Sequence, residues 1–569
     1  MNLGCCEKRD EDYYVDNNGQ ICSVFFIADV QILQKKLVNS IEKSLYNIIA
    51  TIYQNRTEID FKILEDYKDN SVSALFNVVS KGDLKNETEI CLLKLLFLCK
   101  WNEQKFQRDL EQLNEKSEKQ KKNGVYYTPE DTVNYIINNA IELYNKKNVK
   151  DILSVEFLDP TCGTGAFLLQ VLELKLKSIE CSEKNICGII STIYGNDRDD
   201  FSIFILKLRY IYKLCRYTVS LNKIWQKLDR QFFVYDFITD YSRINKKFDI
   251  VIGNPPYVES SKSDVKESCV FGNLYADVVN NSLSLLKNKG IFGYIIPLSY
   301  ISTPRFEDLR KSIAEKTSEE YISSFADRPD CLFAAVHQKL NIILAIKEKS
   351  KKHKVFTSDY CYWYKQEREK IFNEITYIEN PYVYDDFYAK IGNDIELSIF
   401  DKVICQEKEL NLDGIGNSTL FLNMRATFWI KSFTENGDYS KEYKQFMVDE
   451  KDASFLHILF SSSLFWWFWV KVSDCWHITM KDLKMFKLPS EYNFDVVKEL
   501  SAKLTNKLEG TKVYVNTKQT LYEYKHKECK DIIDLIDDYI GKLYGLDLSE
   551  VNYLKTYNIK YRMGQKDEL

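Results

Sequence analysis

The chain has 569 residues with 78 Lys+Arg against 83 Asp+Glu, a net charge of −5, which excludes a polycation that coats nucleic acid wholesale. Hydrophobic residues at 45% and charged residues at 28% exclude a disordered chain, and 9 Pro with 20 Gly exclude a collagen-like or low-complexity one. At roughly 100–200 residues per domain, the length predicts about three or four folding units.

The opening run from Met1 to Asp10 lacks the apolar core of a secretory signal. Apolar runs such as Leu464 to Val470 and Ile291 to Leu298 fall well short of the ~20 residues that span a bilayer. The 15 cysteines are odd in number and form no C-x-x-C pair or Cys/His cluster. That pattern predicts reduced thiols, no metal site, no membrane contact and a cytoplasmic location. Lys566-Asp567-Glu568-Leu569 spells a retention tail that is not expected to act without an entry signal.

Residues 1–120 read as a helical N-terminal region, with Ile90 to Cys99 apolar on most faces. Glu111 to Lys122 reads as a solvated helix end or linker. Glu103-Gln104-Lys105 in this region resembles part of a nuclease motif, but no strand-borne Asp precedes it, so no built-in nuclease is expected.

Residues 121–350 alternate short apolar strands with amphipathic helices. The predicted strands are Val155–Leu158, Ile189–Tyr194, Phe232–Val234, Ile250–Ile252, Ile291–Ile296, Tyr321–Phe325 and Leu340–Ile346. The predicted helices include Ala166–Ile179, Asp200–Cys215, Tyr275–Leu286 and Pro304–Ala314. This order predicts an α/β fold with a mainly parallel, doubly wound, Rossmann-like sheet, whose chemistry sits beyond the carboxyl ends of the strands. Residues 351–495 mix aromatics, short strands and loops, and 496–569 read as a helical C-terminal segment.

Four strand ends carry groups suited to a site. After Leu158 comes Asp159-Pro160-Thr161-Cys162-Gly163-Thr164-Gly165, where Gly163 and Gly165 let the backbone approach a ligand. The next strand ends near Asp197, a carboxylate that can accept both ribose hydroxyls of an adenosine-containing cofactor, or simply cap a helix. The third leads to Asp236-Phe237, an acceptor for an adenine amino group and a ring to stack on it. The fourth runs into Asn254-Pro255-Pro256-Tyr257. Two prolines fix this turn and remove two backbone donors. The Asn254 side chain and the Pro255 carbonyl can receive the hydrogens of an exocyclic amine while its ring stacks on Tyr257. Accepting both hydrogens turns the nitrogen lone pair toward an electrophile.

These motifs resemble the S-adenosylmethionine-dependent DNA N6-adenine methyltransferases, in the gamma order and with a type IIG-like arrangement. The resemblance implies a methyltransferase catalytic domain over 121–350 and a mixed α+β target-recognition domain over 351–495. It implies that Asn254, Pro255, Pro256 and Tyr257 are catalytic, and that Tyr257 and Phe333 stack on the target base. It further implies cofactor contacts from Tyr127, Thr128, Asp159, Thr161, Gly163, Gly165, Asp197, Asp236, Phe237 and Asn254. S-adenosyl-L-methionine is the implied cofactor and no metal is implied.

The implied partner is double-stranded DNA with a flipped adenine, met by a monomer in a prokaryotic cytoplasm. A restriction endonuclease or defence subunit on a separate chain would complete a restriction-modification system. With a net charge of −5, DNA binding requires positive charge gathered on one face beside Asn254. Alternatives that keep the Asn-Pro-Pro-Tyr chemistry are methylation of a glutamine amide in protein or of an amine in RNA. A further alternative is a non-catalytic DNA-binding subunit.

In the C-terminal third, Phe465-Trp466-Trp467-Phe468-Trp469 reads as core rather than a base-stacking surface. Lys512 to Lys530, with interspersed tyrosines, suits either phosphate contact or a solvated helix face. His337 and His477 read as structural.

Overall fold

The computed structural model describes residues 128–214, 217–333, 337–350, 352–410, 412, 416–434, 443–516 and 522–564. The 1–120 region and Tyr127 lie outside the described residues. The described residues divide into two compact units, the first holding 152–154 and 161–236, the second 128–151, 155–160 and 237–564.

Within the first unit, helix α2 (Ala166–Leu176) leads to α3 (Glu183–Ile190), strand β2 (Ile193–Asp197), α4 (Asp200–Leu214), α5 (Leu221–Gln231) and β3 (Phe232–Val234). β2 and β3 pair in parallel, from Gly195↔Phe232 to Asp197↔Val234. The segment Ile189–Tyr194, expected as strand, instead begins as the last turn of α3. Ser182 caps that helix, and Ile186, Ile189 and Ile190 bury one face at helical spacing.

The second unit begins with α1 (Glu130–Lys147) and β1 (Phe157–Asp159). It continues with β4 (Phe248–Gly253), α6 (Leu274–Leu285), β5 (Leu286–Pro297), α7 (Glu307–Lys316), β6 (Glu319–Phe325), β7 (Leu340–Ile346), β8 (Lys354–Cys361) and β9 (Ile378–Glu379). Here the strands lie in the order β1-β4-β5-β7-β6-β8-β9. β1, β4 and β5 run parallel, as the βα alternation requires. β7 runs antiparallel to both β5 and β6, and among the described residues between Phe325 and Leu340 no helix carries the chain across the sheet. The expectation of a mainly parallel sheet is corrected at that strand. The apolar residues of α1 pack on β4, β5 and β7, with Ile136 and Ala140 fully buried.

Asp249, one residue into β4, anchors the amino end of this sheet. Its carboxylate accepts bonds from Lys150 (2.6 Å), Lys287 (3.0 Å), the Tyr144 hydroxyl (2.9 Å) and the Glu156 backbone N–H (2.9 Å). Burial alone would raise its pKa, but these donors hold it below its ordinary 3.8. The folded-state pKa is depressed, so this stabilisation is present above 3.8 and is lost as pH falls below it. Asp249→Asn is expected to lower the urea midpoint at neutral pH, with a deficit that shrinks on acidification. A deficit independent of pH would contradict this account.

After the sheet come Asp394–Ile404, a three-stranded antiparallel sheet centred on Ser418–Asn423, and two helices, Glu450–Ser461 and Ser463–Val472. The region expected to be loops and short strands thus contains two apolar helices joined at Ser462. Trp466, Trp467, Phe468 and Trp469 are at most 1% exposed, so this cluster is core, as expected. Among the described residues no single helix is long and apolar enough to cross a membrane, and this pair passes that test together only across a 68° bend.

Val513–Tyr514 pairs antiparallel with Tyr522–Glu523, so the solvated-helix reading of this lysine-rich stretch is corrected to two short paired strands over those residues. The Lys512 ammonium lies over the Tyr522 ring at 4.6 Å and the Tyr524 ring at 5.5 Å. The C-terminal segment is helical over Phe494–Gly510, Lys530–Leu543, Leu548–Thr556 and Ile559–Met563.

A buried ionic cluster knits this part of the second unit. The Lys471 ammonium pairs with Glu396 and with Asp359 at 2.5 Å, and both Lys471 and Glu396 are fully buried. The Tyr557 hydroxyl accepts from Lys471 (3.0 Å) and donates to Asp359 (2.6 Å). Tyr553 (2.7 Å) and the Gly392 N–H (2.8 Å) donate to the Glu396 oxygens. Burial alone would lower the Lys471 pKa, but Asp359 and Glu396 reverse that and hold it above its ordinary value.

Candidate functional site

In the first unit, Thr161 to Gly165 forms a tight turn before α2. Gly163 has φ +50° and Gly165 φ +92°, both in the region that favours glycine. A Cβ at 165 would fall 2.1 Å from Leu206 Cδ1, so that glycine lets the turn close on α4. A Cβ at 163 would meet nothing within 4 Å, which leaves open space above the peptide. The Arg209 guanidinium donates to the Thr164 carbonyl (2.6 Å) and the Cys162 N–H to the Asn196 carbonyl (2.9 Å), fixing the turn from below.

Asp197, at the end of β2, accepts the Gly163 N–H on one oxygen (2.8 Å) and the Asp199 N–H on the other (2.9 Å). Burial raises its pKa, opposed by these two bonds. The residue expected to hold a ribose therefore also buttresses the glycine turn. Each of its oxygens has a second lone pair for a ligand hydroxyl. Asp236, beyond β3, lies 3.7 Å from the Arg198 guanidinium. Asn196, fully buried, exchanges two 3.1 Å bonds with the backbone of Tyr235 and sets the chain leading to Asp236. Asn196 and Arg209 were not legible as site-forming residues, since each acts on backbone remote in sequence.

In the second unit, β1 and β4 lie side by side and bring Asp159 against Gly253. A Cβ at 253 would fall 2.7 Å from Asp159 Oδ1, so the glycine before Asn254 admits a buried carboxylate. Asn254, half-buried, donates from Nδ2 to the Thr128 hydroxyl (3.0 Å), which fixes its carboxamide. The sequence placed Thr128 among the cofactor contacts, and the structure brings it to Asn254. Pro255 is buried, while Pro256 and Tyr257 are half-buried.

The Tyr257 hydroxyl donates to the Ile295 carbonyl on β5 (2.9 Å), and its ring meets the Tyr275 ring edge-on at 6.3 Å. Both ends of the motif are thus held in single orientations. Phe237 is buried, and its carbonyl accepts from Asn281 at 3.4 Å. Phe333, expected to stack on the target base, is 2% exposed, so its ring is covered in this conformation. The loop after Tyr257 sets Lys262 and Lys266 against Glu259, Asp264 and Glu267, so it does not carry the basic face expected beside Asn254. No cluster of three or more metal-ligating side chains occurs among the described residues.

Comparison with known proteins places this geometry. The chain is 24% identical over 389 residues to the type II restriction enzyme and methyltransferase RM.Eco57I of Escherichia coli, covering 57% of this chain and 37% of that protein. It is 26% identical over 198 residues to the type II methyltransferase M.VspI of Vibrio sp. (strain 343), covering 34% of this chain and 41% of that protein. The chain therefore spans well under half the length of these relatives. Its fold is similar to that of the type IIL restriction-modification enzyme MmeI, solved in complex with DNA. The TM-score is 0.53 at 14% identity, covering 93% of this chain and 98% of that one. Residues 191–331, which carry Asp197, Asp236 and Asn254 to Tyr257, match the family described as Eco57I restriction-modification methylase.

Proposed function

We propose that the chain transfers a methyl group from S-adenosyl-L-methionine to the N6 amino group of a flipped-out adenine in DNA, within a restriction-modification or phage-defence system. The observation that carries this reading is the clamped pair at the end of β4, with Asn254 fixed by Thr128 and Tyr257 fixed by Ile295. An amine acceptor and a flat ring held in this way suit an exocyclic amine on a planar base. The match to a methylase family over residues 191–331 supports the same reading.

The open space above Gly163, with Asp197 beneath it, fits the polar part of such a cofactor. Gly163 and Gly165 admit its approach, Asp197 receives hydroxyls, and Asp236 with Phe237 receives the adenine. Thr161 and Asp159 complete the polar contacts, and Thr128 orients Asn254. The cofactor supplies a methyl group on a positively charged sulfur, an activated electrophile. The chain's task is alignment: Asn254 and the Pro255 carbonyl accept the two amine hydrogens, and Tyr257 carries the base. The base must leave the duplex first, at a cost of a few kcal/mol that stacking and these hydrogen bonds offset. Phe333 is the ring proposed for the opposite face of the base, and its cover must open for it to reach that position. DNA is the proposed partner, and a nuclease or defence subunit on a separate chain completes the system around a monomeric, cytoplasmic enzyme.

The test supplies labelled S-adenosylmethionine and mixed genomic DNA to the full chain and maps modified bases by sequencing. N6-methyladenine at a recurring sequence is expected. Label entering protein or RNA but never DNA would overturn the proposal.

A further inference from the structure

We infer that Arg368 is a positioning residue for the methyl transfer, which sets Phe333 at a fixed distance from Asn254 by tying the loop before Phe333 to the first turn of α1. This deepens the DNA-methyltransferase reading above and rests on it, because only that reading gives Phe333 a base to meet. All the contacts lie inside the second unit. Thr128, whose hydroxyl receives Asn254 Nδ2, stands just ahead of α1, and Asp131 lies in the first turn of that helix. The Arg368 guanidinium takes both Asp131 oxygens, from Nε to Oδ2 (2.6 Å) and from Nη2 to Oδ1 (3.0 Å). Its other nitrogen, Nη1, donates to the carbonyl of Cys331, two residues before Phe333 (2.9 Å). One planar fork thus joins the segment that orients Asn254 to the segment that carries Phe333.

The fork is held at each of its ends. α1 packs on β4, β5 and β7, which fixes Asp131. Arg368 itself follows a short turn in which Glu367 Oε2 accepts the Tyr364 N–H (2.8 Å) and the Tyr561 hydroxyl (2.9 Å), while Glu367 Oε1 accepts from Lys560 (2.7 Å). In the loop, the Asp330 N–H donates to the carbonyl of the buried Trp363 (3.2 Å), and the Cys331 thiol donates to the Phe333 carbonyl (2.9 Å). Burial alone would raise the Asp131 pKa, but Arg368 and the Thr132 bonds hold it below its ordinary 3.8, so the pair is charged at neutral pH.

An ion pair that only adds stability needs the two Asp131 contacts and no third. Here the Arg368 and Asp131 side chains are 20% and 36% exposed, so water screens the pair and little stability comes from it. The bond to the Cys331 carbonyl acts on geometry instead. With the backbone held there, the Phe333 ring can turn out from its cover while its Cα keeps its distance from Asn254. A lysine ammonium lacks the planar fork that serves both Asp131 oxygens and the carbonyl together.

The test uses the full chain and a duplex carrying the methylated sequence that the genomic mapping identifies. Single-turnover transfer, S-adenosylmethionine binding and the fluorescence of 2-aminopurine placed at the target adenine are measured for wild type, Arg368→Ala, Arg368→Lys, Phe333→Ala and the Arg368→Ala, Phe333→Ala double variant. Arg368→Ala is expected to slow transfer roughly 10–100-fold, the scale of a misplaced reacting group, with cofactor affinity little changed. Arg368→Lys is expected to recover only part of that loss. The double variant is expected to be no slower than Phe333→Ala alone, because Arg368 acts through that ring. The 2-aminopurine signal is expected to be brighter in both single variants than in wild type, since a base that has lost one stacking face is less quenched. Should Arg368→Ala fail to fold, Arg368→Lys is taken through the same cycle with the same expectations. Near wild-type transfer in Arg368→Ala would overturn the inference. So would additive losses in the double variant with unchanged fluorescence, the mark of a structural staple. No DNA methylation by the wild type would overturn the underlying reading and this inference together, whereas an active wild type with additive losses overturns the inference alone.

Discussion

Asn254→Ala is expected to reduce methyl transfer by about 10²–10³-fold or more, the scale seen when one preorganised polar contact to a reacting group is removed. Affinity for S-adenosylmethionine is expected to change little, because in the proposed role Asn254 serves chiefly the amine. The contrast between turnover and cofactor binding distinguishes this from collapse of the site, and isothermal titration with single-turnover kinetics measures both. Thr128→Val is the companion variant. It removes the hydroxyl that receives Asn254 Nδ2 at 3.0 Å while keeping the volume, and it predicts a smaller loss in turnover with an intact fold. Near wild-type turnover in Asn254→Ala would refute the catalytic assignment.

Lys471→Met is expected to cost about 3–5 kcal/mol, the effect of leaving a buried partner unpaired. Glu396 is fully buried, so without the Lys471 ammonium it must be buried as an uncompensated charge or take up a proton. Equilibrium urea unfolding measures the loss. The double variant Lys471→Met, Glu396→Gln is expected to recover a substantial part of it, since both charges leave together. Equal stability of single and double variants would show that the cost comes from packing rather than from the stranded carboxylate.

The parts of the fold and site legible in the sequence are those whose signals are local. β3 and β7 carry the bounds expected of them, because short β-branched and aromatic runs between turn residues leave little else to form. The glycine turn and the Asn-Pro-Pro-Tyr turn lie at strand ends, where their spacing put them. The Ile189 to Tyr194 segment misled because one apolar run serves two elements, the last face of a helix and the first residues of a strand.

The helices at 450–461 and 463–472 were missed for a related reason. They are buried on almost every side, so no polar face marks their period. At the site, long-range hydrogen bonds were invisible: nothing local says that Asp197 holds Gly163 or that Thr128 holds Asn254. The covering of Phe333 was equally out of reach, since it depends on packing rather than on spacing.

The pairing of β1 with β4 also sets a schedule for the ribosome. Phe157 pairs with Ile250, so the ladder between them cannot close until roughly ninety further residues have been made. At about 5–20 residues per second, that edge of β1 waits on the order of 5–20 s for its partner strand. Asp159, the buried carboxylate beside Gly253, stays without that neighbour for the same interval. Any mutation that slows or destabilises the intervening segment prolongs the exposure of an apolar strand edge. It would lower the yield of folded protein.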